Sequence, residues 1–215
     1  MKDQEILDGH ERLYVTARLL QSAQPPPTFD YTHFRALHFH MFQDIYDWAG
    51  QERTVFIKKG ESFFGHPLHI RENGVRLLRE LRTALIHDRH SFSALPSILS
   101  HFVNEMNALH PFREGNGRHL REFLLQVVAE MGCGFNAFVL ERNQWISASI
   151  AGFEGNEVPM AELLAEMLIT PATRRAEMFE LSYLSAKRRA GLCALLRRNG
   201  YPVDILNEYR ATLRC

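Results

Sequence analysis

His110-Pro-Phe-Arg-Glu-Gly-Asn-Gly-Arg118, carried on through His119-Leu120 to Arg121, is the stretch on which the reading of this chain turns. Within twelve positions it holds a base, a carboxylate, a Gly-Asn-Gly turn and, after the turn, the arginine pair Arg118 and Arg121, and a helical pattern follows directly. That is what a site needs to hold a metal-bound polyphosphate and deprotonate an attacking hydroxyl.

The residues divide the work. His110 closes one helical pattern, and Pro111 cannot extend it, so the imidazole stands at the lip of a loop. There a neutral ring can take a proton from a hydroxyl near neutral pH. Phe112 alternates with polar neighbours and points inward, as an anchor for the loop. Glu114 supplies an oxygen ligand of the kind Mg²⁺ prefers, with water and phosphates as its others. Gly115, Asn116 and Gly117 allow positive φ and close approach of backbone to a ligand. Their N–H groups, with the helix dipole behind them, make an anion nest. Arg118 and Arg121 lie three apart on one helix face and can bracket phosphate oxygens. His119 between them points elsewhere.

Working outward, apolar spacing of three or four predicts helices over 4–22, from Thr32 as N-cap to Trp48 with Gly50 as the stop, over 67–87, over 93–109, and from the motif to Gly132. Further helices are expected over 144–151, 159–169, 173–198 and 203–213. The period changes at Arg53-Thr-Val-Phe-Ile57, a β-prone run. Lys58-Lys59-Gly60-Glu61 is turn-like, and Ser62-Phe63-Phe64 is β-prone again, so one short hairpin is predicted. The fold class is all-α (mostly α), with that hairpin as the single β element. The domain reading is a body over 1–172 and a basic helical extension over 173–215.

Bulk properties narrow the classes. Net charge is zero over 215 residues, which argues against nucleic acid or membrane as partner. The charge is uneven, however: residues 173–215 carry nine Lys and Arg against four Asp and Glu. The cysteines, Cys133, Cys193 and Cys215, are odd in number and widely spaced, which fits a reducing compartment rather than a disulfide framework. No apolar run of about 18 residues occurs. The expectation is a cytoplasmic protein, or one delivered to a host cell.

From His110 to Arg121 the chain matches every defined position of His-x-Phe-x-(Asp/Glu)-Gly-Asn-(Gly/Lys)-Arg-x-x-Arg, the motif of the Fic family. Phe42-Gln-Asp-Ile-Tyr-Asp-Trp-Ala-Gly50, Arg53-Thr-Val and Lys59-Gly60 also resemble that family's segment leading into its flap, so the likeness spans roughly residues 30–170. The resemblance implies a helical bundle with the motif loop between two central helices and a hairpin over the site. It implies AMP transfer from ATP, with pyrophosphate leaving, to a Tyr, Thr or Ser hydroxyl of a target protein. His110 would be the general base and Glu114 the holder of Mg²⁺. The backbone of Gly115, Asn116 and Gly117 would form the anion hole, with the Asn116 side chain on the α-phosphate, Arg118 on the β- and Arg121 on the γ-phosphate. The flap, Val55, Phe56, Ile57, Lys58, Lys59 and Gly60 among its residues, would align the target by strand pairing. Gly117 favours AMP transfer over the kinase-like branch, which has Lys there.

Many members of that family are restrained by a helix bearing (Ser/Thr)-x-x-x-Glu-(Gly/Asn). Thr173-Arg-Arg-Ala-Glu177 has the spacing, but Met178 departs from the pattern. The resemblance therefore implies inhibition by Glu177 or by a separate small antitoxin. Two other functions fit the motif: a different phosphoryl or nucleotidyl transfer at the same site, and a non-catalytic nucleotide-dependent binding module. Trp145, with Asn143 and Gln144, is a candidate lining for the base pocket.

Overall fold

In the computed structural model, residues 2–21, 24–60, 62–87, 92–136 and 141–170 are described. The expected helices over 173–198 and 203–213, the inhibitory pair Thr173 and Glu177, and the basic extension all lie outside them. The described residues form seven α-helices and two two-stranded sheets.

The chain divides into two compact units. One comprises, among the described residues, 2–21, 24–26 and 36–50. Its described part holds α1 (Lys2–Leu19) and the later turns of α2 (Tyr31–Phe42). The His40 Nε2 donates to the Arg18 carbonyl (2.8 Å), Tyr46 OH donates to Glu11 (3.1 Å), and the Arg18 guanidinium pairs with Asp44. Apolar spacing had predicted α2 to run to Trp48. It stops at Phe42, because Tyr46 and Trp48 leave the helical path and stack on each other at 4.3 Å. The stop is secured at Gly50, whose N–H donates to His38 Nδ1 (3.0 Å).

The other unit, residues 27–35 and 51–172, carries the motif. Asp30, not Thr32, opens α2: its Oδ1 accepts the His33 N–H (2.8 Å). The core here is α4 (Leu95–Leu109), packed by α3 (Ile70–His87), α5 (Asn116–Glu130), α6 (Arg142–Phe153) and α7 (Val158–Met167). Leu95, Leu99, Phe102, Val103, Met106 and Leu109 are buried along α4, and so are Ser100 and Asn104, as expected of a helix enclosed on most sides. In α3 a single stripe is buried, Ile70, Gly74, Leu77, Leu78 and Leu81, which marks a surface helix. Close approach is built in twice. A Cβ on Gly74 would lie 2.3 Å from the Tyr31 ring, and one on Gly152 would lie 2.1 Å from Asn104 Oδ1.

The hairpin differs from its predicted register. Its strands are β1 (Lys58–Lys59) and β2 (Ser62–Phe63), paired Lys58 with Phe63 and Lys59 with Ser62. Arg53–Ile57 is not a strand, because its polar groups are drawn to the end of α4, as described below. A second antiparallel pair, β3 (Gly134–Phe135) with β4 (Leu168–Ile169), was not predicted; two-residue strands are too short to carry a period-2 signal. Among the described residues no helix is long and apolar enough to cross a membrane.

Candidate active site at the α4–α5 loop

His110 is where α4 ends. Pro111 disfavours the right-handed helical region for the residue before it, and His110 takes the left-handed one (φ 49°, ψ 64°), rare for a non-glycine residue. Its backbone N–H still reaches the Met106 carbonyl (3.0 Å). The ring is held on two sides. Nδ1 donates to the Asn107 carbonyl (3.3 Å), and Phe64 stacks on the ring with centroids 3.9 Å apart. A carbonyl only accepts, so Nδ1 carries the proton of the neutral ring and Nε2 keeps the basic lone pair. Burial pushes the imidazole pKa down to about 4; the Asn107 carbonyl and Glu114 oppose that shift, while Arg53 and Lys59 reinforce it.

The loop after His110 is closed by Asn116. Its Oδ1 accepts the Phe112 N–H (2.9 Å) and its Nδ2 donates to the Phe112 carbonyl (2.8 Å). Both polar ends of this side chain thus engage the backbone of the loop. Phe112 is fully buried, stacked on Phe34 (5.9 Å) and edge-on to His119 (5.3 Å). His119 is buried too, and its Nε2 donates to the Phe34 carbonyl (2.7 Å).

Gly115 then starts α5 with φ 81°, a conformation that favours glycine. Gly115, the N-cap residue, has no side chain to cap α5, and the positive end of the helix dipole lies at this end of the loop. Glu114 is 60% exposed at this end, accepts the Gly115 N–H (2.9 Å), and lies 3.9 Å from Arg118. Arg121 is set deeper. Burial lowers its pKa, and Arg118 and Arg142 add to that. Its guanidinium lies over the Trp145 ring at 5.6 Å, a cation–π contact. No carboxylate among the described residues pairs with it. Trp145 is thus a buried platform for Arg121, while Asn143 and Gln144 are exposed. A loop with a base at one lip and, at the other, a glycine-led helix N-terminus flanked by arginines has the electrostatics of a polyphosphate site.

Among the described residues, no group of three or more His, Cys, Asp or Glu could hold a metal ion. Glu114 is a single accessible carboxylate. That donor set fits Mg²⁺ bound through one carboxylate plus substrate phosphates and water, and does not fit a dedicated protein cage.

Sequence reasoning gave Arg53 no role. It is 2% exposed, and its guanidinium donates to four backbone carbonyls: His110 through Nε (2.7 Å), Val55 through Nη1 (2.7 Å), and Leu109 (3.1 Å) and Gly65 through Nη2. Beyond this clamp the hairpin is exposed: Val55, Phe56, Lys58, Lys59, Gly60 and Phe63 face solvent, and Ile57 is half-buried.

Comparison with known proteins agrees with this architecture. Residues 28–128 match the family model described as Fic/DOC family. The chain is 38% identical over 167 residues to the probable protein adenylyltransferase y4lH of Sinorhizobium fredii, covering 77% of this chain and 86% of that one. It is 34% identical over 173 residues to the protein adenylyltransferase VbhT of Bartonella schoenbuchensis, covering 78% of this chain and 36% of that longer one. Among solved structures, the BepC protein of Bartonella tribocorum with bound AMPPNP has a TM-score of 0.66 at 22% identity, covering 79% of this chain and 90% of that one. At that identity it is the fold that is shared.

Proposed function

The chain belongs to the Fic/DOC family and, like the relatives named above, is an adenylyltransferase; we propose that its α4–α5 loop moves AMP from ATP to a Tyr, Thr or Ser hydroxyl of a target protein. The observation that carries this reading is the pairing of a stacked, neutral His110 at one lip of the loop with the glycine-led α5 N-terminus and Arg121 at the other.

In this reading the target hydroxyl oxygen attacks the α-phosphorus. The bond to the oxygen bridging the α- and β-phosphates breaks, and pyrophosphate leaves. His110 Nε2 takes the hydroxyl proton, with Nδ1 oriented by the Asn107 carbonyl. The anion hole is the backbone of Gly115, Asn116 and Gly117, with the N–H groups of Asn116 and Gly117 toward the α-phosphate oxygens and that of Gly115 held by Glu114, while the Asn116 side chain holds the loop in shape. Arg118 takes the β-phosphate and Arg121 the γ-phosphate. Glu114 would hold Mg²⁺, whose charge offsets that of the phosphates. The exposed hairpin residues Val55 to Gly60 receive the target segment edge-on.

Arg121 is also the point of restraint in this reading. A carboxylate reaching it would take the γ-phosphate's place, supplied by Glu177 of this chain or by a small antitoxin. The role is toxin- or effector-like. The experiment is label transfer from α-labelled ATP to protein in a cell lysate with Mg²⁺, comparing wild type with His110→Ala. Label in wild type and none in the variant is expected. Label from γ-labelled but not α-labelled ATP would replace AMP transfer with phosphoryl transfer.

A further inference from the structure

An α-helix leaves its last carbonyls without intrahelical partners. At the end of α4 these are taken up in an ordered way. The Asn107 carbonyl accepts His110 Nδ1 (3.3 Å). The Ala108 carbonyl accepts the Gly65 N–H (2.9 Å). The carbonyls of Leu109 and His110 accept the Arg53 guanidinium, and that of Pro111 accepts the Arg53 N–H (2.9 Å). Four of these five hydrogen bonds come from the two legs of the hairpin. The same guanidinium binds the legs to each other through the carbonyls of Val55 and Gly65. One residue before Gly65 stands Phe64, whose ring lies on His110 and edge-on to Phe153 (5.9 Å).

We propose that Arg53 is a positioning residue: it makes the hairpin the C-terminal cap of α4, and so fixes Phe64 on the His110 ring and couples the target-docking element to the base. A buried guanidinium serves here because its five donors form a planar fork, and four acceptors surround it in place of a carboxylate. A cation at the negative end of the α4 dipole is favoured as well. An ammonium keeps the charge but not the fork, so lysine cannot hold all four carbonyls. Through these contacts, movement of either leg is transmitted to the ring that does the chemistry.

The inference rests on the adenylyltransferase reading for its activity measurements alone. The test uses the full chain with isotope-labelled histidine and follows the ring protons of His110, which Phe64 stacked at 3.9 Å shifts upfield. Phe64→Leu identifies that contribution. In Arg53→Lys the His110 signals are expected to move toward the Phe64→Leu positions. AMP transfer should fall about tenfold or more in kcat while ATP affinity changes by less than about threefold, the pattern of a misplaced base rather than a lost nucleotide site. His110 signals at their wild-type positions in Arg53→Lys would overturn the coupling, whatever the activity. Equal losses of ATP affinity and kcat would overturn it as well. If Arg53→Lys does not fold, Gly65→Ala probes the same junction: its Cβ would sit 3.1 Å from Leu109 Cδ1 and 3.2 Å from the Leu109 carbonyl oxygen, displacing the leg slightly. The same movement of the His110 signals is expected there, and its absence would refute the coupling. A wild type with no AMP transfer but with these spectral changes would sink the proposed reaction and leave the coupling standing.

Discussion

Lowering the pH should leave AMP transfer almost untouched until well below the range in which histidine ordinarily titrates. Burial beneath Phe64 brings the His110 pKa from its ordinary 6.5 to about 4. The competent form is neutral, so activity is present above the folded-state value and is lost as pH falls through it. At pH 5.5 an ordinary imidazole is about 9% neutral, and one titrating near 4 is about 97% neutral. The rate at pH 5.5 relative to pH 7.5 thus separates the two cases by about tenfold. The assay is initial rate of label transfer from α-labelled ATP at saturating nucleotide between pH 4.5 and 8, with the His110 ring signals titrated over the same range. An acid limb near 6.5 in both measurements would refute the argument that packing beneath Phe64 depresses the pKa of the His110 ring. Phe64→Ala would admit water to the ring, and its limb should move upward toward 6.5.

Three further outcomes follow from the contacts described. Asn116→Ala removes two hydrogen bonds to the Phe112 backbone in a buried place, and thermal unfolding should report a loss of roughly 1–3 kcal/mol. Gly152→Ala gains helix propensity of about 1 kcal/mol but drives a methyl into Asn104; a net fall in melting temperature is expected, relieved when combined with Asn104→Ala, and an additive double variant would show that the clash is not the cause. Arg121→Ala should cost ATP about tenfold or more in affinity by calorimetry and ADP far less, and equal losses for both would move Arg121 off the γ-phosphate.

The parts of the site visible in the sequence are those whose neighbours in space are also neighbours in the chain. His110, Glu114, Gly115 and Arg121 fall within one loop and the first turns of α5, so spacing alone brings them together. Arg53 works through Leu109 and His110, more than fifty positions away, and nothing in Gln51-Glu52-Arg53-Thr54 marks a buried cation. Its side chain also explains why the β-prone run Arg53–Ile57 is not a strand: the backbone there is committed to the end of α4. Asn116 was legible as a turn residue, but its bonds to Phe112 depend on how the loop folds back. The end of α2 was hidden because Ile45 and Trp48 continue the apolar spacing after the helix has stopped.

The hairpin is anchored at its base and exposed at Val55, Phe56, Lys58, Lys59, Gly60 and Phe63, with Ile57 half-buried. Its two ends face different demands under mutation. Changes near Arg53, Phe64 and Gly65 disturb the helix end that carries the base, and the charge of Lys59 still reaches the His110 ring, whereas changes among Phe56, Lys58 and Phe63 fall on solvent-facing positions. On the docking role proposed for the tip, such a division would let one reaction be redirected to new clients by drift or by grafting there, with the machinery beneath left as it is.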